Sequence, residues 1–144
     1  MTTSYRCPSD IYPSLTYDDA PAAIAWLCGA FGFTKRFEVI GPDQQVEHSE
    51  LSFGSGVVMV SSPKAQDHRT SPRQLSGVAQ ALSVYVADPD AHHDVAVAAG
   101  AQVVRPLQTE EYGARGYMAL DPEGQLWYFG NYRPGEFWDA SAPR

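Results

Sequence analysis

The chain has 144 residues, of which 44% are hydrophobic and 19% are charged, a composition typical of a globular protein that can bury a core. Its formal net charge of −7 and its scattered Lys and Arg residues argue against a nucleic-acid partner. No apolar stretch approaches the length of a membrane span, and residues 1–9 lack the apolar run of a signal peptide. Cys7 and Cys28 lie in unrelated contexts, so we expect no disulfide framework. These features predict a cytoplasmic protein with one domain, residues 1–144.

Residues 10–62 predict a strand, a helix and three further strands. Residues 11–17 are rich in β-formers and indicate the first strand. Asp19 is placed to cap a helix that carries Pro21 in its first turn and ends at Gly32. The later strands are predicted at 33–40, 46–53 and 57–61, with a tight turn at 54–56.

Residues 63–79 predict a linker, because prolines and polar residues interrupt every periodic pattern there. We expect a solvated loop, with a mobile lid as the alternative. Residues 80–133 repeat the earlier order, with Asp88 as helix cap, Pro89 at the first helical position and Gly100 at the end. The strands are predicted at 80–86, 102–108, 115–120 and 126–130. In the tail, residues 134–144, two aromatic side chains predict that the tail packs against something.

The two halves are copies of one unit. Three pairs of landmarks keep a nearly constant spacing: Asp19 and Asp88 lie 69 residues apart, Gly32 and Gly100 lie 68 apart, and Gly56 and Gly124 lie 68 apart. Such spacing is typical of a duplicated supersecondary unit. The predicted fold is α+β, with two tandem βαβββ modules forming a paired, partly closed mixed sheet around a cavity.

Two segments resemble the vicinal oxygen chelate superfamily, which includes glyoxalase I, extradiol dioxygenases, fosfomycin-resistance enzymes and bleomycin-resistance binding proteins. One is residues 17–33 around the first helix. The other is residues 121–130, Asp-Pro-Glu-Gly-Gln-Leu-Trp-Tyr-Phe-Gly, which close the second repeat. The resemblance extends over about residues 10–133 and implies the same fold.

In members that use a metal, the resemblance implies a His on the first strand and a Glu on the last strand of each module. The corresponding positions here are Tyr12, Val60, Ala81 and Tyr128, or Ser14 and Ser83 after a slip of two residues. None is His, Glu, Asp or Cys, whereas a divalent ion needs three or four such donors. We therefore expect no metal and no other cofactor, and hence no Lewis acid for the family's chemistry.

His48 and Glu50 are polar residues two apart on the third predicted strand, so they share one face, with Leu51 on the other. They predict either an acid–base or ligand-orienting pair, in which Glu50 holds the imidazole tautomer, or a solvated sheet edge.

Further candidates are an arginine and several tyrosines. Arg115 either clamps an anionic group of a ligand or pairs with a neighbouring glutamate. The tyrosines predicted on the cavity side suit a flat or apolar ligand, with core packing as the alternative for each. Trp26 and Trp127 are assigned to the core, and His92 and His93 to the surface. The predicted ligand-binding residues are Tyr12, Ser14, His48, Glu50, Tyr85, Tyr112, Arg115 and Tyr128.

Our first functional hypothesis is a metal-independent small-molecule binding protein of the glyoxalase/bleomycin-resistance type. The resemblance implies that it sequesters an antibiotic or toxic metabolite, and we expect a homodimer. The alternative is a lyase or isomerase of the glyoxalase type, with a displaced metal site or acid–base chemistry by His48 and Glu50. A third hypothesis is a module without a ligand that contributes only dimer contacts. The sequence leaves open whether the modules pair within one chain or exchange between two.

Overall fold

The computed structural model describes residues 9–138, and in this range the chain forms two successive βαβββ modules. The first contains β1 (Ser14–Thr16), α1 (Ala20–Trp26), β2 (Thr34–Ile40), β3 (Val46–Phe53) and β4 (Gly56–Ser61). The second contains β5 (Ala81–Tyr85), α2 (Pro89–Ala98), β6 (Gln102–Thr109), β7 (Arg115–Leu120) and β8 (Leu126–Gly130). The predicted order of elements is confirmed in both modules.

Each module forms one four-stranded mixed sheet in which its first strand pairs with its last. The strand orders are β1-β4-β3-β2 and β5-β8-β7-β6. The pairs β1–β4 and β5–β8 are parallel, and the other pairs are antiparallel. The two sheets do not close into a barrel. The predicted α+β class with two similar modules is therefore confirmed.

Both helices begin with the predicted aspartate caps. The Asp19 carboxylate accepts the N–H of Ala22 at 3.1 Å, and the Asp88 carboxylate accepts the N–H of Ala91 at 3.1 Å. Such a cap satisfies a backbone donor that has no partner within the helix. After α1, a π-helical turn that the sequence did not predict, Leu27–Phe31, continues to the next strand.

A single core lies between the helices and the covered faces of both sheets. Phe31 packs against Trp127 and Phe129, with ring centroids 5.5 and 4.5 Å apart. Trp127 is fully buried, which confirms its predicted place in the core. Trp26 is half-buried, and its indole N–H donates to the carbonyl of Ala99 at 2.9 Å. Aromatic packing therefore joins the two modules.

His92 is half-buried between the modules, so its predicted surface position is wrong. Its Nε2 lies 2.8 Å from the carbonyl of Phe31, and its Nδ1 lies 2.6 Å from the hydroxyl of Tyr117. A carbonyl can only accept, so Nε2 donates; in the neutral imidazole Nδ1 then carries no proton and accepts from the hydroxyl. The ring stacks on Phe129 at 4.1 Å. Burial lowers the pKa of His92, although the hydrogen bond to Phe31 acts in the opposite direction.

The turn at 121–124 ties the second module to the first through two buried carboxylates. The Asp121 carboxylate accepts the Tyr17 hydroxyl at 2.6 Å and the Trp127 indole N–H at 3.0 Å. The Glu123 carboxylate accepts the backbone N–H of Asp19 at 2.9 Å, immediately before α1. Burial raises the pKa of Asp121, while its hydrogen bonds act to lower it. We refer to Asp121 and Glu123 as the carboxylate clasp.

The linker joins the same cluster and is only partly solvated. Ser71 is fully buried, and its hydroxyl donates to Glu123. The remaining end of the described chain is more exposed. Phe137 and Trp138 are 79% and 71% exposed, so the described part of the chain does not bury them, and the packing of the tail stays a prediction. Cys7 lies outside the described residues. Within residues 9–138, no helix is long and apolar enough to cross a membrane.

Candidate ligand-binding site

The side of the first sheet that carries no helix, which we call the first open face, is crossed by a row of paired residues. Ser14, Met59, Glu50 and Phe37 are register partners, one on each strand. Partners on neighbouring strands point to the same side of a sheet. Leu51, which alternates with Glu50 on β3, is fully buried on the helix side. The row therefore presents four side chains on the open face.

A cavity of about 810 Å³ lies on the first open face. It is lined by Tyr12, Arg36, Glu50, Ser52, Gly54, Val57 and Met59. Two of these, Tyr12 and Glu50, are among the residues predicted from the sequence. All seven belong to the first module. The lining combines apolar surface from Val57 and Met59 with one cationic and one anionic side chain, so it can bury an apolar body and orient polar groups.

His48 and Glu50 are in contact on this face, as their spacing on the strand predicted. The His48 Nε2 lies 2.7 Å from the Glu50 carboxylate. The two side chains are 39% and 43% exposed, so a ligand can reach both. The Phe37 ring centroid lies 6.0 Å from the imidazole. The carboxylate orients the imidazole, and the pair can donate to a ligand or exchange a proton with it.

Ser14 also lies on the first open face, at its β1 edge. Its hydroxyl accepts a hydrogen bond from Arg69 of the linker at 3.1 Å. The same guanidinium donates to Ser61 at 3.3 Å. Ser14 is therefore held by the linker.

Sequence reasoning missed Arg36, which lines the cavity. The register between β2 and β3 shifts after Lys35, so Arg36 is the extra residue of a β-bulge. Its Nε donates to the Ser52 hydroxyl at 2.8 Å. Simple strand alternation gives no signal for this orientation, because a bulge breaks the alternation.

The second sheet has an equivalent open face, which we call the second open face. Its row consists of Ser83, Tyr128, Met118 and Arg105. The Arg105 guanidinium lies 5.7 Å from the centroid of the Tyr128 ring and donates to Glu110 at 2.9 Å. This arginine is therefore neutralised by a carboxylate.

Tyr128 lies flat over two glycines on the second open face. A Cβ atom added at Gly116 or Gly130 would lie 2.4 or 2.5 Å from its hydroxyl oxygen. The hydroxyl is buried and has no hydrogen-bond partner within the described chain. Burial raises the pKa of Tyr128. Tyr128 thus fills a slot that only glycine neighbours leave open.

The remaining predicted tyrosines belong to the second module and do not line the first cavity. The Arg133 guanidinium lies 3.6 Å from the centroid of the Tyr85 ring, a cation–π contact. Tyr112 is 65% exposed, and its ring centroid lies 5.6 Å from that of Tyr132. Tyr85 and Tyr112 therefore lie apart from the first cavity, in the second module.

Arg115 lies on neither open face. It shares the orientation of Tyr117, which is fully buried on the helix side. Its Nε and Nη2 donate to the Asp90 carboxylate at 2.8 and 2.9 Å. This bidentate pair raises the pKa of Arg115 and lowers that of Asp90. The partner is thus an aspartate of α2, not the neighbouring glutamates that the sequence suggested.

The positions implied for a metal site hold side chains that do not fit one. In the first sheet, Val60 is buried on the helix side, and Met59 takes the open-face position next to Ser14. The loop before β4 spans residues 54–55, whereas the loop before β8 spans residues 121–125. The residue four positions after the turn glycine therefore falls at a different place along β4 than along β8. Thioether, hydroxyl and phenol groups are poor ligands for a divalent ion. In residues 9–138, no three His, Cys, Asp or Glu side chains are grouped so that they could hold a metal.

Comparisons with known proteins agree with this architecture. A family model described as the Glyoxalase/Bleomycin resistance protein/Dioxygenase superfamily matches residues 12–129. An uncharacterised protein of Mycobacterium bovis is 32% identical over 121 residues, which cover 82% of this chain and 80% of that protein. The crystal structure of TioX from Micromonospora sp. ML1 matches with a TM-score of 0.69 and 33% identity, covering 85% of this chain and 94% of TioX.

A second solved structure shows the fold alone. A glyoxalase/bleomycin resistance protein/dioxygenase family enzyme from Burkholderia phytofirmans PsJN has a TM-score of 0.66 and 23% identity, covering 83% of this chain and 94% of its own. The match to the family model spans both modules and agrees with the resemblance of residues 17–33 and 121–130 to this superfamily. The chain therefore belongs to the glyoxalase/bleomycin resistance protein/dioxygenase superfamily.

Proposed function

We propose that this protein binds a small organic molecule on the first open face without a metal ion, and that it sequesters an antibiotic or toxic metabolite. The observation that carries the proposal is the cavity of about 810 Å³ on that face. Cavities of about 300–1,000 Å³ that combine apolar lining with a few polar groups are typical of small-molecule sites. Affinity comes from burial of the ligand's apolar surface, and orientation comes from Arg36, Glu50 and His48.

The donor chemistry supports binding without a metal. The open-face positions equivalent to the family's metal ligands carry Ser14, Met59, Ser83 and Tyr128. Binding by this site therefore depends on side-chain contacts alone.

A site-filling variant tests the proposal. Met59→Trp places a larger side chain in the cavity, and Val97→Trp places the same side chain on an exposed position of α2, where Val97 is 44% exposed. A compound library is screened by thermal shift, and the hits are measured by calorimetry. We expect at least one hit that binds wild type and Val97→Trp equally and Met59→Trp at least about tenfold more weakly, a difference of about 1.4 kcal/mol. Hits that bind all three proteins equally would place the site elsewhere.

We also propose a homodimer in which a second copy covers part of the exposed apolar surface. Phe37, Val39 and Val104 are 51%, 42% and 49% exposed on the outer strands. Phe37 and Val39 lie two residues apart on β2 of the first sheet, and Val104 lies on β6 of the second. Exposed apolar surface of this kind supports an interface. Light scattering after size exclusion should give twice the chain mass of 15.7 kDa. A monomer at all concentrations would contradict this. The cytoplasmic location stays a prediction.

The alternative function is a lyase or isomerase of the glyoxalase type, and the observation that favours it is the 2.7 Å contact between His48 and Glu50. In that case the pair moves a proton of the substrate, or helps to hold a displaced metal ion. Loss of substrate turnover in both His48→Ala and Glu50→Gln would establish the enzymatic function. Metal analysis of the purified protein would then show whether a displaced metal ion or acid–base chemistry by the pair is used.

A further inference from the structure

The strongest unassigned feature is the cationic group at the bulge of β2. Lys35 pairs with Leu51, whose side chain is buried on the helix side, whereas Phe37 pairs with Glu50 on the first open face. Arg36 is the residue inserted between these two registers, and bulges commonly re-aim a side chain beside a functional site. The bulge therefore directs Arg36 to the cavity that it lines.

Arg36 differs from the other strand arginines in its lack of a carboxylate partner. Arg105 pairs with Glu110 at 2.9 Å, and Arg115 pairs with Asp90 at 2.8 Å. In the described part of the chain, Arg36 forms one hydrogen bond, from its Nε to Ser52 at 2.8 Å, and no ion pair. This contact uses Nε and leaves both terminal nitrogens available to a ligand. Two parallel N–H donors of this kind match a carboxylate in bidentate fashion.

An unpaired arginine at a bulge is found in the first module but not at the equivalent bulge of the second, among the described residues. There the bulge falls between Val103 and Arg105, so the inserted residue is Val104. The nearby arginine lies over Tyr128 and is paired with Glu110. Among the residues that the structure describes, the bulge of the first module therefore carries a cation without a carboxylate partner, and the bulge of the second module does not.

The same cavity also holds an acceptor. Glu50 lines it and receives one hydrogen bond from His48, which leaves acceptor capacity on its carboxylate. An anion placed close to Glu50 would be repelled, so a ligand anion belongs at Arg36 and a ligand donor at Glu50.

Resting on the proposed function, we infer that the ligand is an apolar organic acid with a hydrogen-bond donor. Its acidic group binds the terminal nitrogens of Arg36, its donor binds Glu50, and its apolar body covers Val57 and Met59. Arg36 therefore determines which class of molecule this cavity selects.

Three naphthalene compounds of similar size test the inference by calorimetry: 2-naphthoate, its methyl ester, and 6-amino-2-naphthoate. Wild type should bind 2-naphthoate at least about tenfold more tightly than the ester, because a hydrogen bond to a charged group is worth about that factor. The amino acid should bind more tightly still, and Glu50→Ala, which leaves no acceptor at this position, should remove this second gain.

Three variants at two adjacent residues separate a specific contact from general charge. Arg36→Gln should abolish the preference for the acid, and Arg36→Lys should keep only part of it because the fork is lost. Lys35→Gln removes the same formal charge one residue away, from a side chain that pairs with Glu38 at 3.3 Å, and should keep the preference. Circular dichroism checks that each variant is folded.

The outcomes distinguish this inference from the proposed function. If acid and ester bind wild type equally, and Met59→Trp weakens both, the inference is overturned and the small-molecule site stands. An equal loss of preference in Lys35→Gln and Arg36→Gln would also overturn it. If none of the three compounds binds wild type, the inference is overturned, and the library screen with Met59→Trp and Val97→Trp decides the proposed site separately.

Discussion

The carboxylate of Glu123 accepts the backbone N–H of Asp19 at 2.9 Å, although 104 residues separate them along the chain. A second oxygen of the same group accepts the N–H of Asp18 at 2.7 Å and the hydroxyl of Ser71. The turn of the second module thus satisfies backbone donors just before the helix of the first. This contact sets the position of one module against the other.

Replacement of Glu123 should therefore destabilise the whole domain. In Glu123→Gln an amide nitrogen replaces one acceptor, so at least one buried N–H or hydroxyl loses its partner, at a cost of about 1–3 kcal/mol. Urea unfolding followed by fluorescence measures the change in the free energy of unfolding. Glu136→Gln, at an exposed residue, is the matched control and should be neutral. Equal unfolding midpoints for both variants would show that the clasp contributes nothing.

Acid should destabilise the protein through His92. Burial lowers its pKa in the folded state below the ordinary value of about 6.5, so the unfolded chain binds the proton more readily. The free energy of unfolding should then decrease as the pH falls below about 6.5. This contribution of His92 stops changing once the pH is below the lowered pKa of the folded state. Above about 6.5 both states are neutral, and the effect is absent.

The variant His92→Asn isolates this contribution. The amide oxygen can still accept the Tyr117 hydroxyl that Nδ1 accepts at 2.6 Å, but it does not titrate. The difference in unfolding free energy between wild type and variant should shrink as the pH falls from 7 to 5. A difference that is constant over this range would contradict the assignment of a neutral buried imidazole.

Gly130 should be required because of Tyr128. A Cβ atom at position 130 would lie 2.5 Å from the Tyr128 hydroxyl, and the nearest atoms all belong to that ring. Gly130→Ala should cost about 1–3 kcal/mol, as overpacking does. In a Tyr128→Ala background most of this cost should disappear, which a double-mutant cycle of unfolding free energies measures. Additive costs would show that the ring is not the cause.

Tyr128→Phe should leave the protein equally stable or more stable in the absence of ligand. The hydroxyl is buried and has no partner within the described chain, so its removal relieves a desolvation penalty of about 1–3 kcal/mol. Thermal unfolding measures the change. Tyr132→Phe, at a half-buried residue, serves as the comparison. A clear loss of stability in Tyr128→Phe alone would indicate a hydrogen bond that this structure does not contain.

Arg115→Gln should leave ligand binding unchanged, because the side chain lies on the helix side and pairs with Asp90. Its effect on unfolding should be small and should decrease further in high salt, as for exposed ion pairs. Calorimetry with the naphthalene acids, with Arg36→Gln as the contrast, provides the measurement. Weaker binding by Arg115→Gln would return this residue to the site.

Local chemistry along the chain was sufficient to predict the two modules. Asp19 and Asp88 cap helices because a carboxylate next to unsatisfied N–H groups is stabilising in any fold, and the spacing of the repeats identified the duplication. Strand alternation also placed His48 and Glu50 on one face, opposite Leu51. The helix caps and the strand faces depend on neighbours within a few residues, and the duplication is visible in the order of residues alone.

Tertiary structure alone decided the features that depend on distant partners. Arg36 reaches the cavity through a register shift between two strands, and Met59 rather than Val60 faces outward because the loop before its strand is short. His92 is buried because the other module's helical turn packs over it. The sequence by itself determined which elements form, since helix caps, turn residues and side-chain alternation depend on residues close together in the chain. The packing between modules determined which polar groups are buried, paired or left available to a ligand, since desolvation depends on everything that surrounds a side chain.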